Sequence, residues 1–167
     1  MGNPGDFVKC PAGHEDHGLI EPEHAKIAAI EPGPIRLQYG YEGNKGFGYL
    51  HVQGMEDRMR QIAGLGFKDF AAYSSAVAKH YTRICRGGDG KLVLVWPKDG
   101  YDLTLVLQKK DGFWTVVTGL PKRVERSTKL CDVARKSGSE PTPDVAKRPR
   151  FATLSLPKKV TSGGNGP

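Results

Sequence analysis

His51, Arg58 and Thr118 are the side chains whose type and position could do chemistry in this chain. A histidine exchanges a proton near neutral pH. His51 sits between apolar Leu50 and Val52, just ahead of a helical stretch at Met55, which gives it a defined place at an element boundary. Arg58 lies one residue before Met59, on the flank of that helix, and an arginine offers phosphate a rigid fork of donors. Thr118 ends a strand just ahead of Lys122 and Arg123, where a hydroxyl can join a surface site. Each has a plainer reading: a hydrogen-bonded structural histidine, an arginine such as any helix start can carry, a β-former beside a turn. His80, further on, reads as a histidine packed against the sheet.

Four other residues could ligate zinc by type: Cys10, His14, His17 and His24. Their spacing matches no strong zinc signature, and most fall in a glycine- and proline-rich terminus, which reads better as an exposed polar segment. No metal and no cofactor is expected. GNKGFG at residues 43–48 lacks the closing Gly-Lys-Ser/Thr of a phosphate loop, so nucleotide triphosphate binding is not expected either. Lys45 within it could meet a phosphate as a point charge on a mobile rim, or be an ordinary surface lysine.

The elements that must position these groups are clearest at residues 91–121, KLVLVWPKDGYDLTLVLQKKDGFWTVVTGLP. Asp-Gly between β-rich runs is the strongest short-range hairpin signal, and it occurs twice. Strands are expected near 91–96, 101–108 and 113–118. Alternation in the second turns Leu103, Leu105 and Leu107 toward a helical layer and leaves Thr104 and Gln108 on the other face, free for a ligand. In the third, Trp114, Val116 and Thr118 oppose Phe113, Thr115 and Val117. Lys109 and Lys110 fall in the second turn, where a solvated charge pair is the default.

Helices are expected at 21–30, around Met55–Ala63, and from about Lys68 to Arg83, where Phe70, Ser74, Val77 and Tyr81 form a stripe. Residues 35–41 alternate and suit an additional strand, and 127–135 suit a short helix. Residues 1–18 read as irregular. The expected fold is α+β, with N-terminal helices packed on a small twisted antiparallel sheet, a meander of three to five strands. The expected organisation is an irregular and helical segment at 1–34, a domain at 35–135, and a basic Pro/Ser/Gly-rich tail at 136–167.

Composition narrows the partners. No apolar run approaches the roughly 18 residues of a membrane span, and the first ten residues do not resemble a signal peptide. Cys10, Cys85 and Cys131 suit free thiols better than a disulfide framework. Residues 1–50 carry four Lys/Arg against seven Asp/Glu, residues 51–100 eight against five, and residues 101–167 thirteen against six. That gradient suits a polyanion or an acidic protein meeting the C-terminal half, and equally a solvated basic surface.

Taken in order, GFGYLHVQGMEDRMRQI, FKDFAAYSSAVAKHY, KLVLVW, YDLTLVLQKKDGFWTVVT and GLPKR resemble the phage and polymorphic-toxin branch of the barnase/EndoU/colicin E5–D/RelE-like nucleases. The resemblance covers about residues 35–123. It implies RNA cleavage without a metal, by attack of the ribose 2′-hydroxyl on the adjacent phosphate. By position His51 matches the family's helix-region histidine and Thr118 the hydroxyl of its last strand. A second polar position of the family, often histidine, falls near Glu56–Arg58, and this departure leaves the catalytic set incomplete. Arg58 or Arg123 would answer the developing phosphate charge, and Lys45, Thr104, Lys109 and Lys122 would support the substrate.

The resemblance further implies a cytoplasmic site of action, with delivery from another cell or a phage particle, and an acidic immunity or inhibitor protein as a partner. Rival readings are a catalytically silent nucleic-acid binder, with Trp114 or Tyr101 as stacking residues, a protein-interaction module, and a hydrolase of another substrate.

Overall fold

The computed structural model describes residues 2–122 and 128–133. Eight strands and four helices follow in the order β1 (Phe7–Val8), β2 (Asp16–Ile20), α1 (Pro22–Ala28), β3 (Gly33–Gln38), α2 (Gly48–Gln53), α3 (Glu56–Gly64), α4 (Phe70–His80), β4 (Arg83–Arg86), β5 (Leu92–Lys98), β6 (Tyr101–Lys109), β7 (Trp114–Pro121) and β8 (Thr128–Asp132). One compact unit spans Met1–Ala134. The tail expected at 136–167 lies outside the described residues, as does Arg123.

At the centre is the meander β5–β6–β7, antiparallel throughout. Its first turn is closed by Asp99 and Gly100, whose φ values of 53° and 83° give the twist that a two-residue hairpin needs. The meander is only part of a larger sheet. The strands run β1–β3–β7–β6–β5–β4–β8, with β2 also paired to β3.

This overturns the expectation of a small antiparallel sheet of three to five strands beneath N-terminal helices. The sheet has eight strands and is mixed, because β3 runs parallel to β7 through Ile35↔Trp114 and Arg36↔Thr115. The N-terminal segment, mostly turns and bends over residues 2–15, also contributes two strands. β1 and β2 divide the length of β3 between them, both antiparallel to it. The helix expected at 127–135 is instead β8, which pairs with β4.

Helices and sheet share one core. Ile62, Phe70, Tyr73 and Val77 from the helices meet Leu94, Leu103, Leu105 and Leu107 from the sheet, all with no exposed surface. Ile20, Ala25 and Ile35 belong to the same cluster. The helix α4 starts cleanly because Asp69 Oδ1 accepts from Ala72 N at 2.9 Å, capping a free donor. Gln53 Oε1 accepts from Phe70 N at 2.8 Å and ties α2 to the same turn. On the opposite sheet face Cys85, Val93 and Val95 form a second, small cluster with Val106. No described helix is long and apolar enough to cross a membrane.

Of Cys10, His14, His17 and His24, all but His14 are spent on packing. Cys10, His17 and His24 are buried, contrary to an exposed terminus. His24 Nδ1 lies 3.0 Å from the Tyr81 hydroxyl, which itself donates to the Leu19 carbonyl at 3.3 Å. Among the described residues no group of His, Cys, Asp or Glu is arranged to hold a metal ion. His17 Nε2 donates to the Val8 carbonyl at 2.9 Å, while its Nδ1 is buried without a hydrogen-bond partner.

A second proton on His17 would therefore be a cation with no acceptor. Burial holds its pKa below the ordinary value, with Lys79 acting in the same sense and the Val8 carbonyl, Asp16 and Asp69 opposing. The unfolded chain then takes up the proton first as pH falls through about 6.5. Its contribution to stability is complete above that pH and is lost below it. Urea midpoints measured between about pH 7.5 and pH 5 are expected to fall, and His17→Gln to flatten part of the fall. An unchanged slope in folded His17→Gln protein would assign the dependence to other groups.

Candidate functional site

The site is built where β3 leaves β7. Their pairing covers only Trp114 and Thr115, and α2 and α3 both pack against β7. β7 is irregular at the same place. Its pairs with β6 step from Leu107↔Val116 to Val106↔Thr118, so Val117 is an extra residue in β7. A bulge of this kind bends a strand and re-aims the next side chain.

Arg58, in the first turn of α3, donates from Nη1 to Thr118 Oγ1 at 2.7 Å. The arginine is half-buried, and among the described residues no carboxylate pairs with it. Burial lowers its pKa, and the Tyr73 hydroxyl acts in the opposite sense. An arginine remains cationic at neutral pH even so. The result is a shielded guanidinium whose hydrogen-bond partner is a neutral hydroxyl, with the rest of its donor fork available to an anion.

Tyr73 supports this arrangement from below. Its hydroxyl donates to the Thr104 carbonyl at 2.9 Å, and burial pushes its phenol well above the ordinary range. Gly119 makes room for it. A Cβ on Gly119 would stand 2.7 Å from the Thr104 carbonyl oxygen and 3.2 Å from Tyr73 Cε1. Residue type and spacing alone do not single out Tyr73. Only its place under the bulge of β7 gives it a part in the site.

Among the described residues, none of the other expected residues is hydrogen-bonded to the Arg58–Thr118 pair. His51 lies ahead of the Met55 helix as expected, but inside a short helix of its own, α2, and is half-buried. Its Nδ1 is shielded and unpartnered, and among the described residues no hydrogen bond joins it to Arg58 or Thr118. Thr104 is not on an open face. It has no exposed surface, and its hydroxyl donates to the Leu120 carbonyl at 2.7 Å, so it cannot touch a substrate. Trp114 is likewise buried, with Nε1 donating to the Glu31 carbonyl at 3.0 Å.

Lys109 is held by Glu31 at 3.3 Å and stands over the Trp114 ring, 6.0 Å from its centroid. Lys122 and Lys45 are exposed. His80 packs against Trp96, the rings tilted by 36° with 4.8 Å between centroids.

Comparison with known protein families, curated proteins and solved structures finds no match to this chain.

Proposed function

We propose that this protein is a metal-independent endoribonuclease, with Arg58 as the phosphate-binding cation of its site. The observation that carries the reading is the half-buried Arg58 guanidinium, without a carboxylate partner and bonded to Thr118 at 2.7 Å. A cation shielded in this way answers negative charge more strongly than one in open water. The order of the residues about it, three helices followed by β4–β7, is the stretch that resembles the barnase/EndoU/colicin E5–D/RelE-like nucleases.

In the proposed reaction the ribose 2′-oxygen attacks the adjacent phosphorus and loses its proton as the phosphorus–5′-oxygen bond breaks. The leaving oxygen takes up a proton, and the products are a 2′,3′-cyclic phosphate and a free 5′-hydroxyl. Arg58 answers the charge that develops on the phosphoryl oxygens, and Thr118 fixes the direction of the guanidinium. His51 performs one proton transfer, through Nε2, since Nδ1 is shielded. The other transfer has no assigned residue.

A second reading, a silent RNA binder, draws on the missing hydrogen bond between His51 and the Arg58–Thr118 pair. Incubating the purified protein with total RNA in EDTA and mapping the ends separates the two. Cyclic phosphate ends support the nuclease. Intact RNA that stays bound supports the binder, and activity restored only by a divalent ion rejects the metal-independent mechanism. His51→Ala is expected to slow single-turnover cleavage by ~10²-fold or more with little change in RNA affinity. Near-wild-type cleavage by the folded variant would remove His51 from the reaction. The acidic immunity or inhibitor protein remains part of the proposal, as a partner for the basic surface.

A further inference from the structure

Residues 40–48, GYEGNKGFG, form a closed hairpin. Tyr41 and Phe47 exchange backbone hydrogen bonds at 3.2 and 3.1 Å, and Gly46 N donates to the Gly43 carbonyl at 2.9 Å. The base is closed by Gly40, whose φ of 65° favours glycine and where any Cβ would collide with the Phe47 carbonyl. A ring mounted on this hairpin loses little freedom when it binds a ligand.

Tyr41 is such a ring. It is 50% exposed, and Phe47 supports it edge to face with centroids 5.3 Å apart. The hairpin also packs against the turn that leads into α3. The Glu42 side chain lies over Gly54, in the link between α2 and α3, a few residues ahead of Arg58. Charge alone does not define a partner here. Lys45, Arg58 and Arg60 are offset by Glu42, Glu56 and Asp57 in the same stretch. What the hairpin offers beyond charge is an open aromatic face, and the ligand it fits is a nucleobase.

We infer that Tyr41, backed by Phe47, is a stacking platform for one base of the single-stranded RNA whose phosphate Arg58 binds. The inference rests on the reading of the Arg58–Thr118 site given above. A base inside a duplex cannot reach the platform, so the substrate is the unpaired strand.

The test is binding of three labelled probes by wild-type and Tyr41→Ala protein: a single-stranded RNA oligomer, the same oligomer with abasic positions, and an RNA duplex. Tyr41→Ala is expected to weaken binding of the single strand by ~10-fold or more and to leave the abasic oligomer and the duplex unaffected. Tyr41→Trp should restore binding. The stacking part of the affinity should change little with salt, whereas the loss in Lys45→Ala should shrink as salt rises.

Equal single-strand affinity in wild type and folded Tyr41→Ala overturns the platform while leaving the nuclease reading intact. An equal loss on all three probes also overturns it, because that loss is not stacking. Wild-type protein that binds none of the three overturns both readings.

Discussion

Arg58→Ala is expected to slow single-turnover cleavage at saturating RNA by ~10²–10³-fold, the loss that follows removal of one preorganised donor to a developing oxyanion. Arg58 lies on the flank of α3, and among the described residues its side chain bonds only across to Thr118, so the fold should survive the change. Arg58→Lys keeps the charge but not the planar fork, and it should recover only part of the rate. Thr118→Val removes the acceptor that directs the guanidinium and should cost less than losing the cation. Circular dichroism establishes folding in each case. A folded Arg58→Ala protein that cleaves RNA at close to the wild-type rate would remove the arginine from the chemistry.

The largest effect on stability is expected at Tyr73. Its ring stacks on Phe70 with centroids 5.8 Å apart and meets Phe67 edge-on at 5.5 Å, without exposed surface. Tyr73→Ala empties that position and should cost about 3–5 kcal/mol, the range for buried aromatic residues cut to alanine. Set against the roughly 5–15 kcal/mol that holds a typical domain together, this is a large share. Tyr73→Phe keeps the ring, gives up one hydrogen bond to the Thr104 carbonyl, and should cost about 1 kcal/mol. Urea unfolding of the two variants checks the split. Equal losses would mean that the hydroxyl, and not the ring, carries the contribution.

The parts of the fold legible in the sequence are those written in neighbouring residues. Asp99-Gly100 and Asp111-Gly112 mark the two turns of the meander, and the spacing of Phe70, Ser74, Val77 and Tyr81 marks α4. The strand β4 was not legible, because the helical spacing through Tyr81 runs on to Ile84 while the chain has already turned extended at Arg83. At Thr128–Asp132 the local pattern suits either state, and pairing with β4 decides for a strand. β1 and β2 are short and set among glycines and prolines, so their identity comes from β3.

The site divides in the same way. Arg58 and Thr118 were singled out by residue type and by resemblance, yet nothing near either residue encodes the bulge at Val117 that lies beside their contact. Thr104 was misplaced for a complementary reason. Alternation assigns it correctly to the face away from the leucines, but that face carries its own buried cluster at Cys85, Val93 and Val95, so facing away from the helices did not mean facing a ligand.

The parallel pairing of β3 with β7 bears on how the chain is made. Synthesis delivers β3 long before Trp114 and Thr115 exist to lie beside it. A nascent chain whose last residue is still in β6 thus has β1 and β2 available to one side of β3 and nothing for the other. That bare edge is a template for another strand, the exposure that folded sheets avoid. Closing it is a task that falls to the same strand that carries Thr118, so the N-terminal strands are sealed and the Arg58 contact is made only once β7 has left the ribosome.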